Sequence, residues 1–320
     1  MTDAIREAAR RIDGRVHRTA LRRSDALSRA TGGDVRLKLE LEQPTGSYKI
    51  RGAFNAALTL VEQFGTRPPR LVTASAGNHG KALAHAAREL GLPLTVYAPE
   101  HAPRTKLDAI RASGAELRPC ADYDAAERRA KEHGATGEAL FISPYSHPDV
   151  IAGAGTIGLE IHEDWPDVDV IVVSIGGGGL ISGIAVASRD TAPRTQVIGV
   201  EVEASSPFTR SLAAGRIVEI DVQPTLADGL AGNLDADTIT FDLVRDHVDG
   251  IVTVTEDELR AAIRELYSSE GLTVEGAGAV SVAALLGGRL NIRHQRVAVV
   301  ISGGNIDPQT LSGCLLPIEC

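Results

Sequence analysis

Aromatic residues, sulfur-containing residues and positive charge are all scarce in this chain. Of its 320 residues only 3% are aromatic, and it contains three cysteines, one methionine and one tryptophan. A core must therefore be built mainly from Ala, Val, Ile and Leu. The formal net charge of -9 argues against nucleic acid or an anionic membrane surface as the main partner. The length allows two domains or one large one, and a hydrophobic content of 43% is typical of globular proteins.

Disulfide frameworks, zinc knuckles and membrane-spanning runs are also missing from the sequence. Cys120, Cys314 and Cys320 are odd in number, widely spaced and form no CxxC pair. No apolar run reaches the ~18 residues needed to cross a bilayer, and residues 1–18 lack the apolar centre of a signal peptide. These absences predict a soluble, cytoplasmic protein with no membrane partner.

Short apolar strands alternate with amphipathic helices along most of the chain. This alternation predicts an α/β fold in which parallel sheets are covered by helices. Pro68-Pro69 interrupts the pattern and is a candidate hinge. We therefore predict a small α/β domain at residues 70–147 and a large domain made of residues 1–69 and 148–320.

An alternating, strand-like run from Val35 to Leu41 leads into a turn and then a helix. Ser47 is the predicted N-cap of this helix, which places Lys49 in its first turn. A cation there meets the positive end of the helix dipole, which favours the neutral and nucleophilic form of its amine. An exposed lysine that only tolerates the helix end is the alternative, and this stretch alone does not decide between them.

Four consecutive glycines, at positions 176–179, connect a buried strand pattern to a helix. Backbone N–H groups without side chains around them can form a nest for an anion at a helix N-terminus, and a phosphate is the natural guest. A tight turn is the alternative, but one or two glycines would suffice for it. Residues 153–158 match GxGxxG, yet they lie inside a helical pattern and follow no strand, so we interpret them as helix packing.

Two further polar loops follow predicted strands. Residues 75–80 have the sequence Ser-Ala-Gly-Asn-His-Gly, and residues 302–305 have the sequence Ser-Gly-Gly-Asn. The loop at 75–80 by itself is also compatible with an ordinary turn. Because ligands collect at the carboxyl ends of parallel strands, we expect both loops to lie near the four glycines and Lys49.

Together these segments resemble the four signatures of the fold-type-II pyridoxal-phosphate enzymes, whose fold is similar to the β subunit of tryptophan synthase. They are the stretch from Thr45 to Ala53, the loops at 75–80 and 302–305, and the glycines at 176–179. They occur in the family's order with similar spacing, and the resemblance covers nearly the whole chain. The branch that they resemble is the threonine/serine dehydratase and serine racemase family.

The resemblance implies pyridoxal 5'-phosphate as the cofactor, with Lys49 holding it as a Schiff base. Ser302 would face the pyridine nitrogen, where a hydroxyl leaves that nitrogen largely unprotonated and suits β-elimination. Asn78 would contact the phenolic oxygen, and Ser75, Asn78 and His79 would hold the substrate carboxylate. The full implied cofactor set is Lys49, Tyr48, Asn78, Gly176, Gly177, Gly178, Gly179, Glu275 and Ser302. The implied substrate-binding set is Ser75, Ala76, Gly77, Asn78 and His79.

The implied activity is that of an ammonia-lyase (dehydratase), converting a β-hydroxy amino acid such as L-threonine or L-serine to a 2-oxo acid and ammonia. Lys49 would act as the general base toward the Cα proton. Serine racemases of this family carry a second serine where this chain has Ala76, so Ala76 favours the dehydratase. We expect the side-chain pocket near Tyr145 and residues 228–233.

Other activities stay open beside the dehydratase. They are a serine racemase, a β-replacement enzyme, and a dehydratase of a specialised substrate such as hydroxyaspartate, phenylserine or a hydroxyectoine-derived amino acid. A non-enzymatic carrier or sensor of the cofactor is the alternative of a different class.

The resemblance also raises the questions of a divalent cation and a homodimer. Relatives bind the cation through positions that correspond to Glu201, a carbonyl near Ser205, and an acidic residue two positions later. Pro207 occupies that last position here, so Glu201 and Ser205 are weak candidates. We expect a weakened or absent metal site. Without a metal, Glu201 is a polar residue at the end of a strand. Glu203 and Asp228 are the candidates to replace the missing acidic ligand. The homodimer rests on family analogy alone.

Overall fold

The computed structural model describes residues 1–65, 69–102 and 104–316. Pro68 of the predicted hinge and Cys320 lie outside the described residues. The strands are β1 (Leu21–Arg23), β2 (Asp34–Lys38), β3 (Arg70–Ala74), β4 (Leu94–Pro99), β5 (Glu116–Cys120), β6 (Ala139–Phe141), β7 (Val170–Ser174), β8 (Gln196–Val202), β9 (Gly250–Val254) and β10 (Arg296–Val300).

Helices separate nearly all of these strands. They are α1 (Thr2–Arg11), α2 (Asp25–Thr31), α3 (Lys49–Phe64), α4 (Asn78–Leu90), α5 (Arg104–Ala112), α6 (Tyr123–Ala135), α7 (Pro148–Asp164), α8 (Gly179–Thr191), α9 (Pro207–Ala214), α10 (Thr240–His247), α11 (Glu256–Glu270), α12 (Gly276–Leu286) and α13 (Pro308–Leu315). Short 3-10 helices span Glu40–Glu42 and Asp228–Leu230.

The described strands form two sheets. The larger sheet has the order β1-β2-β10-β7-β8-β9, and every neighbouring pair is parallel except the β1–β2 edge pair. The smaller sheet has the order β5-β4-β3-β6 and is parallel throughout. The predicted α/β class, with parallel sheets covered by helices, is confirmed. The predicted division into domains stays a prediction, although every strand of the smaller sheet lies between residues 70 and 141.

The larger sheet is buried on both faces, which explains the apolar run in β7. All five residues of β7 are buried. Val172 belongs to the core on one face, with α11 and α12, while Ile171 and Val173 belong to the core on the other face, with α7 and α8. Since side chains alternate between the faces of a strand, a strand covered on both faces must be apolar at successive positions.

The interpretation of residues 153–158 as helix packing is confirmed. They lie within α7, and an added Cβ on Gly153 would come within 2.6 Å of the Arg51 carbonyl oxygen. An added Cβ on Gly155 would come within 2.9 Å of the Gly183 carbonyl oxygen. These distances are shorter than side chains tolerate, so the glycines allow α3 and α8 to approach α7 closely.

Some predicted boundaries were wrong. The strand predicted to reach Leu41 ends at Lys38, because the backbone turns into the 3-10 helix that begins at Glu40. The short strand β1 and the helices α9, α10 and α13 were not predicted. No helix in the described ranges combines the length and the apolarity that crossing a bilayer would require.

Candidate active site

Lys49 is the first residue of α3, at the carboxyl end of β10. Tyr48 is the N-cap, and its N–H donates to the Ser302 carbonyl oxygen at 3.0 Å. The prediction of Ser47 as N-cap was wrong, because its backbone pairs with Gly303 in an antiparallel bridge. Its buried hydroxyl has no hydrogen-bond partner among the described residues. Contacts with the loop after β10, and not a local cap, therefore position the start of α3.

Arg51, two residues after Lys49, ties the same helix end into a buried charge network. Its guanidinium donates to both oxygens of Glu40 at 2.8 Å and to those of Glu160 at 2.6 and 2.9 Å. Lys38 also donates to Glu160, at 2.5 Å. Burial alone would raise the pKa of Glu40, but the charge and hydrogen bonds of Arg51 outweigh it and lower that pKa. The cations of Arg51 and Lys38 thus balance the carboxylates of Glu40 and Glu160 near the start of α3.

The amine of Lys49 donates to the Pro144 carbonyl oxygen at 2.7 Å. The next residue, Tyr145, lies against the glycine loop, and an added Cβ on Gly177 would collide with its ring. The Tyr145 hydroxyl accepts a hydrogen bond from the Asp235 N–H at 3.2 Å. Pro144 and Tyr145 therefore connect the lysine to the glycine loop.

The glycine loop presents free backbone donors at the start of α8. Gly178 is the N-cap with φ of 85°, a left-handed conformation that favours glycine. The Thr240 hydroxyl donates a hydrogen bond to the Gly177 carbonyl oxygen at 2.8 Å. None of the four N–H groups at 176–179 donates to an acceptor within residues 1–65, 69–102 and 104–316. Unsatisfied donors at the positive end of a helix dipole suit an anion.

The loop at 75–80 joins β3 to α4. The Gly77 N–H donates to the Ser75 hydroxyl at 3.2 Å, and Asn78 is the first residue of α4. His79 is only 2% exposed, and neither ring nitrogen has a hydrogen-bond partner in the described part of the chain. Burial, reinforced by the charge of Lys49, lowers the pKa of His79 to about 3, so the ring is neutral at pH 7. The partly exposed residues of the loop are Ala76, Gly77 and Asn78.

A chain of side-chain hydrogen bonds connects this loop to the loops at 275 and 302–305. Asn78 donates to Glu275 at 2.6 Å, and Asn305 donates to the Asn78 amide oxygen at 2.7 Å. Lys81 donates to the Asn305 amide oxygen at 2.9 Å. Burial raises the pKa of Glu275 to about 7, although the Asn78 hydrogen bond opposes this shift. Ser302 itself is buried and donates its hydroxyl to the Ala277 carbonyl at 3.3 Å.

The weak cation candidates do not join this site. One oxygen of Glu201 accepts from the Phe208 N–H at 2.8 Å, and the other accepts from the N–H and hydroxyl of Thr209 at 2.8 and 2.6 Å. Glu201 therefore caps α9 and is not the simple polar strand end that we expected. Ser205 exchanges hydrogen bonds with the Gly232 backbone, and the Asp228 carboxylate accepts from Lys106. Within the described ranges, no group of three His, Cys, Asp or Glu side chains is placed to hold a metal ion. Both oxygens of Glu201 thus already accept hydrogen bonds from the start of α9.

The four predicted segments converge at the carboxyl ends of β3, β7 and β10, as expected. Sequence reasoning did not identify Lys81, Thr240 or the Pro144 carbonyl as parts of the site. A signal existed for Lys81, because it follows Asn78 by three residues and so shares its face of α4. Thr240 and Pro144 come from segments distant in sequence, and no local pattern marks them.

Comparison with known proteins agrees with this geometry. A family model described as pyridoxal-phosphate dependent enzyme matches residues 12–303. The chain is 46% identical to the L-threonine ammonia-lyase of Thermotoga maritima over 308 residues, which are 95% of this chain and 75% of that protein. It is 38% identical to an L-threo-3-hydroxyaspartate ammonia-lyase of a Pseudomonas species, over 97% of this chain and 96% of that one.

Among solved structures, maize serine racemase matches with a TM-score of 0.90 at 33% identity, over 98% of this chain and 95% of that chain. The family model spans the first three segments that carry the resemblance and the first two residues of the fourth, so the family prediction is confirmed. The chain belongs to the fold-type-II pyridoxal-phosphate dependent enzymes, in the family that contains threonine ammonia-lyases and serine racemases.

Proposed function

We propose that this protein is an ammonia-lyase that converts a β-hydroxy amino acid, L-threonine or L-serine, to a 2-oxo acid and ammonia. The observation that carries the proposal is the convergence of one lysine amine with a glycine loop of free N–H donors. The 46% identity to an L-threonine ammonia-lyase supports the choice of reaction.

The residues of the site fit pyridoxal phosphate. The four N–H groups that lack acceptors suit its phosphate, and the buried hydroxyl of Ser47, two residues before Lys49, has no hydrogen-bond partner among the described residues. In the proposed arrangement Lys49 would hold the cofactor, Ser302 would bind near its ring nitrogen and Asn78 near its phenolic oxygen. Tyr48 and Glu275 complete the proposed contacts. When bound, the cofactor supplies an electron sink that makes the proton on the substrate Cα acidic.

The chain's own groups then divide the remaining work. Once the substrate amine has released it from the cofactor, Lys49 Nζ would be free to take the Cα proton, which also requires it to leave its hydrogen bond to the Pro144 carbonyl. The loop at 75–79 holds the substrate carboxylate at the N-terminus of α4, where the helix dipole favours an anion. Ala76 carries no hydroxyl to return a proton to Cα from the other face, so racemisation is disfavoured. The β-hydroxyl leaves as water, and the proton that it gains is balanced by the proton that Lys49 takes from Cα.

The Lys49→Ala variant tests this proposal. We expect the purified wild type to show the absorbance band of the lysine-linked cofactor and to form 2-oxobutyrate and ammonia from L-threonine. Lys49→Ala should lose both, whereas Lys131→Ala, which removes a half-buried lysine of α6 that pairs with Glu127 and Asp235, should keep both. An intact band in Lys49→Ala would reject the lysine assignment. A band without turnover in the wild type would indicate a cofactor carrier or sensor.

A panel of L-threonine, L-serine and L-threo-3-hydroxyaspartate separates the candidate substrates. The hydroxyaspartate enzyme at 38% identity makes that compound the second candidate. A kcat/KM highest for hydroxyaspartate would replace threonine and serine as the substrate. Interconversion of serine enantiomers at a rate equal to elimination would replace the lyase by a racemase.

We further propose a homodimer and a cytoplasmic location, both by analogy with the family. Sedimentation should give twice the 33.6 kDa mass of the chain, and a single-chain mass would reject the dimer. Cell fractionation checks the location. We propose no divalent cation, because capping α9 engages both oxygens of Glu201.

A further inference from the structure

Lys81, Asn305, Asn78 and Glu275 form one directed chain of hydrogen bonds. Lys81 Nζ donates to Asn305 Oδ1 at 2.9 Å, Asn305 Nδ2 donates to Asn78 Oδ1 at 2.7 Å, and Asn78 Nδ2 donates to Glu275 Oε1 at 2.6 Å. A cation stands at one end and a carboxyl group at the other. The chain joins α4 to the loop after β10 and to the start of α12.

The Lys81 end of the chain decides how both amides are oriented. A lysine ammonium only donates, so Asn305 turns its oxygen toward Lys81 and its NH₂ group toward Asn78. A reversed Asn305 would point its NH₂ group at the Lys81 ammonium, and a reversed Asn78 would point its NH₂ group at the NH₂ group of Asn305. Each amide therefore has one favourable orientation. The Asn78 NH₂ group has two hydrogens, and Glu275 takes only one of them.

Asn305 also connects this chain to the segment that carries Lys49. Its amide nitrogen donates to the Thr45 carbonyl oxygen at 2.9 Å. Gly46 has φ of 74°, and an added Cβ there would come within 2.6 Å of Asn305 Oδ1. The turn before Lys49 thus leaves room for the same oxygen that Lys81 holds.

We propose that Lys81 is a positioning residue, which through Asn305 orients Asn78 so that its second amide hydrogen meets the phenolic oxygen of the cofactor. The inference rests on the proposed function, because it requires Asn78 to contact the cofactor. Lys81 does not touch the reacting atoms. Its effect is on the affinity and electronic state of the cofactor, and not on recognition of the substrate side chain.

The test compares Lys81→Met with Lys81→Arg and with Lys106→Met. Lys81→Met keeps the length of the side chain and removes the donor, while Lys81→Arg retains a cation that donates. Lys106→Met is the matched control, since it removes a cation that pairs with Asp228 outside the chain of hydrogen bonds. Apo protein of each variant is titrated with pyridoxal phosphate, and the absorbance maximum, kcat and KM are measured.

We expect Lys81→Met to weaken cofactor binding by about three- to tenfold, the range that loss of one hydrogen bond gives, and to shift the absorbance maximum. Its kcat should fall while KM for L-threonine changes less than about twofold. Lys81→Arg should restore wild-type values, and Lys106→Met should leave cofactor binding within about twofold. Adding Lys81→Met to Asn305→Ala should cost no more than Asn305→Ala alone, because both break the same chain.

Two results would overturn the inference. One is cofactor binding by Lys81→Met that equals that of Lys106→Met. The other is unchanged cofactor binding with a KM that rises only for 3-hydroxyaspartate, which would make Lys81 a substrate-binding residue. Thermal melting of each apo variant identifies misfolding, and the rescue by Lys81→Arg keeps the test decisive in that case. Failure of the proposed function is separate, because it shows as a missing cofactor band in the wild type.

Discussion

Replacing Arg51 by methionine should destabilise the protein strongly, although Arg51 makes no contact with the proposed cofactor. The side chains of Arg51 and Glu40 are 1% and 0% exposed, so the substitution leaves a carboxylate in the interior without its bidentate partner. Among the residues that the structure describes, only the Thr19 hydroxyl and the Gln43 amide would still donate to the Glu40 carboxylate. Removing one partner of a buried ion pair costs about 3–5 kcal/mol, which is a large part of the roughly 5–15 kcal/mol that stabilises a typical protein.

Arg18 provides the matched control for this substitution. It also pairs with two carboxylates, those of Glu163 and Asp164, but its side chain is 50% exposed. Solvent-exposed pairs contribute about 0–1 kcal/mol, so Arg18→Met should have a small effect. The double variant Arg51→Met/Glu40→Leu should be more stable than Arg51→Met, because it removes the unpaired charge as well.

Denaturant unfolding of the apo proteins measures these differences without a contribution from cofactor binding. The pH dependence supplies a second readout. Folding lowers the pKa of Glu40, so this carboxylate contributes stability at any pH above its pKa in the unfolded chain, near 4.3. That stability is lost as the pH falls through the pKa of Glu40 in the folded protein. Without Arg51, burial raises that pKa instead, so protonation stabilises the variant. The gap between wild type and Arg51→Met should therefore narrow as pH falls below about 5.

An effect of Arg51→Met equal to that of Arg18→Met would refute the reasoning. It would mean that the buried ion pairs of Arg51 with Glu40 and Glu160 contribute no more than a pair of surface salt bridges. A gap that stays constant between pH 7 and pH 4 would show that the lost stability comes from packing and not from an unpaired carboxylate.

Two further predictions concern the cofactor site. Gly177→Ala should abolish cofactor binding, because the added Cβ would collide with the Tyr145 ring. Gly313→Ala should bind the cofactor normally, because a Cβ added there would have no other atom within 4 Å. Titration of apo protein with pyridoxal phosphate distinguishes the two variants. The second prediction uses Glu275, whose pKa of about 7 means that it loses its proton in the physiological range. Its raised pKa contributes stability to the apo protein that is present below the unfolded value and lost as pH rises through about 7. A pH series of unfolding should show this slope in the wild type but not in Glu275→Gln, and the same slope in both would exclude Glu275 as its source.

Local patterns predicted much of this fold. The apolar run of β7 followed by four glycines correctly placed a loop between a buried strand and α8. Thr255 and Glu258 form the capping box that their spacing predicts, with both reciprocal hydrogen bonds present. Lys49 lies in the first turn of its helix, as the spacing of apolar residues after it indicates. Such signals succeed because they depend on periodicity and on backbone groups a few residues apart.

Only the tertiary structure decided which side chains meet. Ser47 fails as a cap because Gly303, more than 250 residues later, pairs with its backbone. Glu201 caps a helix that begins six residues later, and no pattern marked that helix. The chain from Lys81 to Glu275 draws on three separate segments. The sequence by itself determined most of the strands and helices, the family, and the position of Lys49 in the first turn of its helix. The partners of each buried polar group depended instead on how the sheets bring the ends of distant strands together. Hydrogen bonds between side chains require a particular distance and direction, which sequence spacing does not contain.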